Sequence, residues 1–395
     1  MTNRARVAGV GMIPFAKPGQ SEDWDVMAEK AARLALADAG ISYEQIQHAF
    51  VGYVYADSTA GQSALYRVGC TGIPIVNVNN NCSTGSTALY LARQLVELGG
   101  ADCVLALGFE QMVPGAIGMA FTDRKRTLDM HLAAQQAIQG VDANAPFAAQ
   151  QFGGGGLDYQ KRYGAKDETF ARIAVKARRH AANNPLALLR DPISLEDVMA
   201  AKHLYGPITR LQACPPTCGA AAAVLVSPAF ARRHGLDASV EITAQALTTD
   251  PASSFEGGSM MRVIGYDMAK NAAQQTYESA GVGPEDIQVV ELHDCFTPNE
   301  LVTYEALGLC PEGGAEKFIL DGDNTYGGRF VTNPSGGLLS KGHPLGATGL
   351  AQCFELTQQL RSNAGARQVD KVSHALQHNL GLGGACVVTL YGRAS

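Results

Sequence analysis

The sequence contains no apolar run of the length that a membrane-spanning helix requires. Its N-terminal segment, MTNRARVAGVGMIPF, lacks the long apolar stretch and cleavage pattern of a secretory signal. Its last residues, Gly-Arg-Ala-Ser, differ from the usual peroxisomal tripeptide. The net charge of −6 is mild and spread out, so it predicts neither nucleic acid nor an anionic membrane as a partner. These absences favour a cytoplasmic protein that does not insert into membranes.

The sequence also lacks a cysteine pattern typical of disulfides or of structural zinc. Its nine cysteines are an odd number, and without a secretory signal we expect free thiols in a reducing compartment. Most of them should be small buried apolar side chains. His293-Asp-Cys295 has no Cys-x-x-Cys partner, and Cys214 with Cys218 is a poor candidate pair, so we predict no metal site.

The chain is long and apolar enough for a compact enzyme of two or three domains. It has 395 residues, of which 46% are hydrophobic and 17% are charged. Such a composition is typical of globular domains with substantial buried cores. The 44 glycines indicate many tight turns.

Two pairs of matching segments indicate an internal duplication. Cys82-Ser-Thr-Gly-Ser-Thr aligns at a constant offset with His343-Pro-Leu-Gly-Ala-Thr, so that the cysteine falls on the histidine. In the same order along the chain, residues 27–47 align without a gap on residues 268–288. Chance similarity between alanine-rich helices is the alternative for the second pair. Two matches in one order favour duplication.

Strand and helix patterns alternate within each half. Continuous apolar runs, which are typical of strands covered by helices on both faces, lie at residues 4–13, 48–53, 75–79, 103–108, 240–247, 289–292, 372–377 and 386–391. The duplicated helices end at Gly40 and Gly281, where glycine can take the left-handed conformation that stops a helix. The helices after Cys82 and His343 are apolar on all sides, which indicates burial between two sheets. We therefore predict an α/β fold.

The stretch from about residue 111 to 211 breaks this pattern and reads as an insertion. Its glycine run, residues 153–156, follows no strand and lacks a P-loop lysine, so a flexible loop is a better interpretation than a phosphate cradle. A basic cluster is most often a solvated helix face, although it can also bind phosphates. Its members are Lys161, Arg162, Lys176, Arg178, Arg179 and His180.

Cys82 and His343 are the candidates for nucleophilic catalysis. A thiol at the first turn of a helix lies at the positive end of the dipole, which lowers its pKa, and the backbone N–H groups there can stabilise an oxyanion. His343 lies among glycines that allow close backbone approach, before Pro344 at a first helical position. Taken alone, a cysteine such as Cys82 is more often structural. A histidine placed to activate it favours a catalytic role.

Four motifs together resemble the thiolase superfamily over essentially the whole length, and most closely its sterol carrier protein type. They are Asn79-Asn-Asn-Cys82-Ser-Thr-Gly85, His293-Asp-Cys-Phe296, Gly342-His-Pro344 and His378-Asn-Leu-Gly-Leu-Gly-Gly384. The resemblance implies a duplicated αβαβα five-layered fold with two mixed sheets. It assigns residues 1–110 with 212–236 to the N-terminal half, 111–211 to an inserted loop domain and 237–395 to the C-terminal half. It also implies that the chain has no room for an appended sterol-carrier domain.

The resemblance implies a role for each residue at the site. Cys82 would carry the acyl group as a thioester. His343 would activate this thiol and, with His293, hold the oxygen of the acetyl thioester whose enolate forms. In most thiolases a second cysteine moves the proton of the acetyl methyl group. Gly381 stands at that position here, so the resemblance assigns this role to Cys295, with Cys386 as the next candidate.

Further residues follow from the same resemblance. The N–H groups of Cys82 and Gly383 would form a second oxyanion hole, with His378 and Asn379 in support. Coenzyme A would be a substrate, no cofactor would be needed, and the CoA phosphates would lie near Arg178, Arg179 and His180. Two subunits would pair through edge strands of their first halves, as a homodimer or a dimer of dimers.

The resemblance leaves three activities open. The leading hypothesis is a thiolase that cleaves a 3-oxoacyl-CoA with CoA into acetyl-CoA or propionyl-CoA and a shortened acyl-CoA, or runs the reverse condensation. The second is retro-aldol cleavage of a steroid side-chain CoA thioester, which needs no thiolate. The third is a non-catalytic acyl-CoA or lipid carrier. Retention of Cys82, Cys295 and His343 favours the first.

Overall fold

The computed structural model describes residues 4–115 and 123–394. The strands of these residues are β1 Arg6–Met12, β2 His48–Gly52, β3 Ile75–Val78, β4 Cys103–Glu110, β5 His203–Tyr205, β6 Ile208–Thr209, β7 Gly219–Val226, β8 Val240–Thr248, β9 Val289–Glu291, β10 Val331–Thr332, β11 His374–Gly381 and β12 Ala385–Arg393. The α-helices are α1 Trp24–Ala39, α2 Ala60–Tyr66, α3 Thr84–Glu97, α4 Asp129–Ile138, α5 Phe147–Tyr163, α6 Asp167–Ala181, α7 Leu195–Ala200, α8 Pro228–His234, α9 Ser253–Glu256, α10 Met260–Val263, α11 Tyr266–Ala280, α12 Thr297–Ala306, α13 Ala315–Leu320, α14 Gly337–Ser340 and α15 Thr348–Leu360.

The main sheet shows the duplication directly. Its order is β10-β9-β11-β12-β8-β1-β7-β4-β2-β3. From β1 outward the pairs β1–β7 and β7–β4 are antiparallel, and β4–β2 and β2–β3 are parallel. From β8 outward the pairs β8–β12 and β12–β11 are antiparallel, and β11–β9 and β9–β10 are parallel. The predicted α/β class and duplicated arrangement are confirmed.

The two predicted sheets are joined into one. Arg6 of β1 pairs with Glu241 of β8, and Val7 pairs with Val240. This short antiparallel contact links the two halves into a single ten-stranded mixed sheet. Apolar runs in each half predict its strands, but the register between β1 and β8 depends on how the halves pack.

Helices α3 and α15 lie between the two halves, and each contacts strands of both. Their matching residues Leu89 and Leu350 are fully buried, and each such burial contributes roughly 2 kcal/mol. A Cβ at Gly85 would lie 2.7 Å from the carbonyl oxygen of Gly346. Glycine therefore allows the helix N-termini to meet. Helices α1 and α11 cover the outer faces of the halves.

Helix boundaries in the duplicated segments follow the prediction, whereas the glycine run does not. Gly40 and Gly281 end α1 and α11 with φ of 68° and 71°. Residues 153–156 are buried inside α5, so the flexible-loop interpretation was wrong. A Cβ at Gly155 would lie 2.4 Å from Ile264 Cδ1, and one at Gly156 would lie 2.7 Å from Pro207 Cγ. These glycines let α5 pack closely against its neighbours.

None of the helices in the described ranges is both long enough and apolar enough to cross a bilayer.

Candidate active site

Cys82 lies in a tight turn between β3 and α3. Asn81 adopts a left-handed conformation with φ of 51°. The Thr84 hydroxyl donates to the Asn81 carbonyl at 2.6 Å and accepts the Asn80 N–H at 2.9 Å. A Cβ at Gly381, the end of β11, would lie 2.3 Å from the Asn80 carbonyl oxygen. Glycine at 381 therefore lets the C-terminal half approach the Cys82 turn.

The structure brings Cys82, His293 and His343 together from different elements. The Cys82 Sγ and a ring nitrogen of each histidine lie within 4.8 Å of one another. His293 follows β9, and His343 lies in the turn before α15. The two imidazole rings are almost perpendicular, with centroids 5.0 Å apart. A thiol and two imidazoles therefore face one another where the two halves meet.

Two further thiols lie in this neighbourhood. Cys295 is two residues beyond His293 and 4% exposed, and burial with the neighbouring Cys214 and Cys82 raises its pKa well above the usual value. Cys214 donates its N–H to the Cys295 carbonyl at 2.8 Å, and burial and Cys82 raise its pKa as well. Sequence reasoning considered Cys214 only as a poor metal-ligand pair with Cys218 and gave it no role at this site, because it is distant along the chain from the other site residues.

Hydrogen bonds fix which nitrogen of His343 carries a proton. Its Nδ1 lies 2.6 Å from the Thr348 hydroxyl, which donates its one hydrogen to the Pro344 carbonyl at 3.0 Å. Thr348 can therefore only accept from Nδ1, so Nδ1 is protonated and Nε2 holds a lone pair. That Nε2 is buried and has no hydrogen-bond partner among the described residues. It is available as a base.

His378 and Asn379 lie beside His293, at the end of β11. The backbone N–H of His293 donates to the ring nitrogen Nδ1 of His378 at 3.4 Å. The Asn379 side-chain amide lies 3.0 Å from His293 Nδ1 and donates to the Cys82 carbonyl at 3.1 Å. Gly383 has φ of 106° and lies in the turn between β11 and β12. These contacts tie β11 to both the Cys82 turn and His293.

Burial keeps the site uncharged. It lowers the pKa values of His343 and His378 to about 3, and lowers that of His293 well below the usual value, with help from the other two rings. Burial, and next the charge of Glu110, raises the pKa of Cys82 to about 12. The expected lowering of the pKa of Cys82 by the helix dipole was therefore wrong, because desolvation outweighs it.

Glu110 at the end of β4 is a site residue that the sequence did not reveal. Its carboxyl accepts the N–H groups of Val54 at 3.1 Å, Tyr55 at 3.0 Å and Gly346 at 3.1 Å. These bonds connect the loop after β2 to the turn that carries His343. Burial outweighs them and raises the pKa of Glu110 to about 7. Its place at the carboxyl end of a predicted strand was the available signal.

Asp294 fixes the segment between His293 and Cys295. Its carboxylate accepts the N–H groups of Leu338 at 2.6 Å and Leu339 at 3.4 Å in α14. Burial raises its pKa to about 8. Because α14 directly precedes the turn with His343, this carboxyl positions two parts of the site relative to each other.

Alkylation of Cys82 should depend steeply on pH. With a pKa of about 12, its thiolate fraction should rise about tenfold per pH unit from pH 7 to 10. Glu110→Gln removes a charge that exists only above about pH 7, so we expect it to raise the alkylation rate about threefold to tenfold above that pH and not at pH 6. Iodoacetamide labelling read by peptide mass spectrometry separates Cys82 from the exposed Cys70.

Glu305→Gln serves as the control for Glu110→Gln, because Glu305 has a raised pKa but contacts Tyr159 instead of the site. It should leave the rate of Cys82 labelling unchanged. A labelling rate that levels off below pH 8 in the unmodified protein would show a preformed thiolate and contradict this picture.

Part of the predicted basic cluster is not available to phosphates. His180 is 2% exposed, and its ring nitrogens lie 3.0 Å from the Asn333 carbonyl and 2.8 Å from the Thr325 hydroxyl. Burial lowers its pKa to about 3. Its assignment to CoA phosphates was therefore wrong. Lys176 is also buried, in an ion pair with Glu300, so the solvated-face interpretation fails there too.

The remaining residues of that proposal stay open. Arg179 is exposed and donates to Thr325 at 3.0 Å, and Arg178 is half-buried and donates to the Asp191 carbonyl at 3.3 Å. Their role toward CoA remains a prediction. Cys218 is fully buried and donates to the Met112 carbonyl at 3.4 Å. That contact explains it as structural.

Comparison with known families agrees with this arrangement. Residues 6–197 match the family described as thiolase, N-terminal domain, and residues 252–391 match the family described as thiolase C-terminal domain-like. The chain belongs to the thiolase family. The two matched regions contain Cys82 in one and His293, Cys295 and His343 in the other.

Individual relatives extend the comparison. Sterol carrier protein 2 of Homo sapiens is 55% identical over 392 residues, which is 98% of this chain and 72% of that protein. The benzoylsuccinyl-CoA thiolase subunit BbsB of Thauera aromatica is 34% identical over 389 residues, 98% of this chain and 96% of that protein.

Solved structures share the fold. The Ltp2-ChsH2(DUF35) aldolase superposes with a TM-score of 0.82 at 26% identity, over 99% of this chain and 98% of that one. Human mitochondrial 3-ketoacyl-CoA thiolase superposes with a TM-score of 0.74 at 18% identity, over 100% of both chains. The second comparison supports the thiolase fold alone.

Proposed function

We propose that this thiolase-family chain transfers an acyl group from C2 of a 3-oxoacyl-CoA to the sulfur of free CoA, or in the reverse direction. The acyl group is carried as a thioester on Cys82. The reaction is CoA-dependent cleavage of a 3-oxoacyl-CoA, or the reverse Claisen condensation. The observation that carries the proposal is the meeting of the Cys82 sulfur with one ring nitrogen each of His343 and His293 within 4.8 Å, together with the unprotonated Nε2 of His343. A nucleophile beside an available base is what acyl transfer needs.

In the first half-reaction the Cys82 sulfur attacks the C3 carbonyl, and its proton passes to His343 Nε2. Neither group is charged before substrate binds, because burial raises the pKa of Cys82 to about 12 and lowers that of His343 to about 3. The proton therefore moves together with the attack of the sulfur on the carbonyl carbon. The C2–C3 bond then breaks, and its electron pair forms the enolate of acetyl-CoA. His293 and the newly protonated His343 hold the enolate oxygen.

In the second half-reaction Cys82, Cys295 and His343 return to their initial protonation states. Cys295 gives its proton to the enolate carbon and takes one from the thiol of free CoA. The CoA sulfur attacks the acyl-cysteine, with the oxyanion held by the N–H groups of Cys82 and Gly383. Cys82 leaves as a thiolate and recovers its proton from His343. The buried, high-pKa Cys295 thiol suits a proton donor that remains protonated until the enolate forms.

A panel of 3-oxoacyl-CoA thioesters tests this proposal. We expect cleavage that depends on added CoA, measured by chromatography of both acyl-CoA products. The panel should vary chain length and include branched, aromatic and steroid acyl groups. Binding of these thioesters without any turnover, in protein with intact cysteines, would instead favour a non-catalytic carrier.

Retro-aldol cleavage is the second candidate, and the similarity to the Ltp2-ChsH2(DUF35) aldolase favours it. That chemistry acts on a 3-hydroxyacyl-CoA and needs no thiolate. Cleavage of such a substrate that survives complete alkylation of Cys82 would replace the thiolase proposal with this one.

We also propose a homodimer or a dimer of dimers, paired through β3. This strand ends the sheet order of the first half, and Val76 on it is 41% exposed. An unpaired edge with an apolar residue is a typical pairing surface. Light scattering after size exclusion would show a monomer if this is wrong.

A further inference from the structure

The side-chain amide of Asn379 has one possible orientation. Its nitrogen lies 3.1 Å from the Cys82 carbonyl oxygen, which can only accept a hydrogen bond. Its oxygen lies 2.8 Å from the Ser86 hydroxyl, which receives an N–H from Gln377 at 2.8 Å and so has its own hydrogen to donate. Both ends of the amide are therefore determined by their partners.

This orientation decides the protonation of His293. The same Asn379 nitrogen lies 3.0 Å from His293 Nδ1. Since the amide nitrogen donates, Nδ1 must hold the lone pair, and in a neutral imidazole the proton then sits on Nε2. His293 Nε2 is buried and lacks a hydrogen-bond partner within the described ranges.

We propose that Asn379 is a positioning residue that fixes His293 as an Nε2–H donor. The two imidazoles beside Cys82 then differ: His343 offers a lone pair at Nε2, because Thr348 accepts from its Nδ1, and His293 offers a hydrogen. His343 abstracts the thiol proton, and His293 donates a hydrogen bond to the enolate oxygen. This division of roles rests on the proposed function, whereas the tautomer itself does not.

The same contact has a second consequence. A cysteine sulfur and one ring nitrogen from each of two histidines within 4.8 Å of one another form a ligand set that suits Zn²⁺ or Co²⁺ once the thiol loses its proton. A histidine held as Nε2–H cannot be a ligand through that nitrogen, and its Nδ1 lone pair already accepts the Asn379 amide. Asn379 therefore also keeps the cluster from binding metal.

Asn379→Asp tests both parts. A carboxylate at this position accepts from His293 Nδ1–H, so the proton leaves Nε2 and a lone pair becomes free there. We expect the affinity for Co²⁺ to rise about 10- to 100-fold, the size of an outer-shell effect on a metal site. A sulfur-to-cobalt charge-transfer band should appear and should vanish in Asn379→Asp/Cys82→Ala. The turnover number should fall about 100-fold with little change in KM, because an oxyanion donor is lost.

Asn333→Asp is the matched control. It adds a carboxylate at another buried asparagine, whose oxygen accepts the Leu292 N–H at 2.8 Å and which, within the described ranges, forms no hydrogen bond with the His293 ring. It should not raise Co²⁺ affinity.

The tautomer of His293 can be measured in the unmodified protein, even if the Asn379→Asp variant does not fold. In ¹⁵N-histidine-labelled protein, NMR should show His293 protonated on Nε2, with the signal identified by its loss in His293→Gln. Protonation on Nδ1, or an Asn379→Asp protein with unchanged tautomer and Co²⁺ affinity, would overturn the inference. These readouts need no turnover, so they stand apart from failure of the proposed acyl transfer.

Discussion

Cys82→Ala is expected to abolish formation of the acyl-enzyme and to lower CoA-dependent turnover by about 10⁴-fold or more. The physical reason is that Cys82 is the thiol that lies with both imidazoles, His293 and His343. Without this sulfur no thioester can form beside the two imidazoles. Intact-mass measurement after incubation with an acyl-CoA shows whether the protein gains the mass of the acyl group.

Cys214→Ala is the matched control for this experiment. Cys214 is a partly buried thiol of the same neighbourhood, with a pKa raised partly by Cys82, yet it lies outside the three-residue cluster. The Cys214→Ala variant should therefore still be fully acylated on Cys82. Unchanged labelling of Cys82→Ala, or loss of labelling in Cys214→Ala alone, would move the nucleophile to another sulfur.

Cys295→Ala is expected to separate the two halves of the reaction. Acylation of Cys82 should persist, because His343 still takes the thiol proton. Exchange of the acetyl-CoA methyl protons with deuterated solvent should fall about 10²- to 10⁴-fold, because the acid/base for that carbon is gone. Mass spectrometry of acetyl-CoA recovered from deuterated buffer measures the exchange.

Cys386→Ala is the comparison variant here. Cys386 lies in β12 and is fully buried, and its raised pKa has burial and Asp250 as causes. We expect its exchange rate to match that of the unmodified protein. Full exchange in Cys295→Ala with loss in Cys386→Ala would transfer the proton-moving role to Cys386.

Much of the fold could be read from local patterns. Apolar runs predicted the main-sheet strands β1, β2, β3, β4, β8, β9, β11 and β12 to within a few residues, and glycines marked the ends of α1 and α11. These features depend on side chains close together in sequence, which is why they were visible. The glycines of α5 led to the wrong prediction of a flexible loop. They allow the helix to pack against Ile264 and Pro207, which lie far along the chain.

The candidate site was only partly visible. Cys82, His293, Cys295 and His343 stand in motifs whose residue types indicate chemistry. Glu110 and Cys214 carry no local pattern, and Lys176 looked like a surface cation although it pairs with Glu300 in the interior. A charged side chain can be buried when a partner of opposite charge lies beside it, and that partner can come from any part of the chain. Composition alone therefore could not distinguish the buried Lys176 from an exposed lysine.

The sequence by itself determined the duplication, most strands of the main sheet and the identity of the candidate site residues, because each depends on short-range periodicity and residue type. Tertiary structure alone decided which groups meet and in what protonation state. Desolvation of the Cys82 thiol, the hydrogen bond from His343 to Thr348 and the Asn379 amide beside His293 all arise where the two halves pack together. Solvent exclusion and hydrogen-bond direction are properties of that contact, so no single segment of the chain contains them.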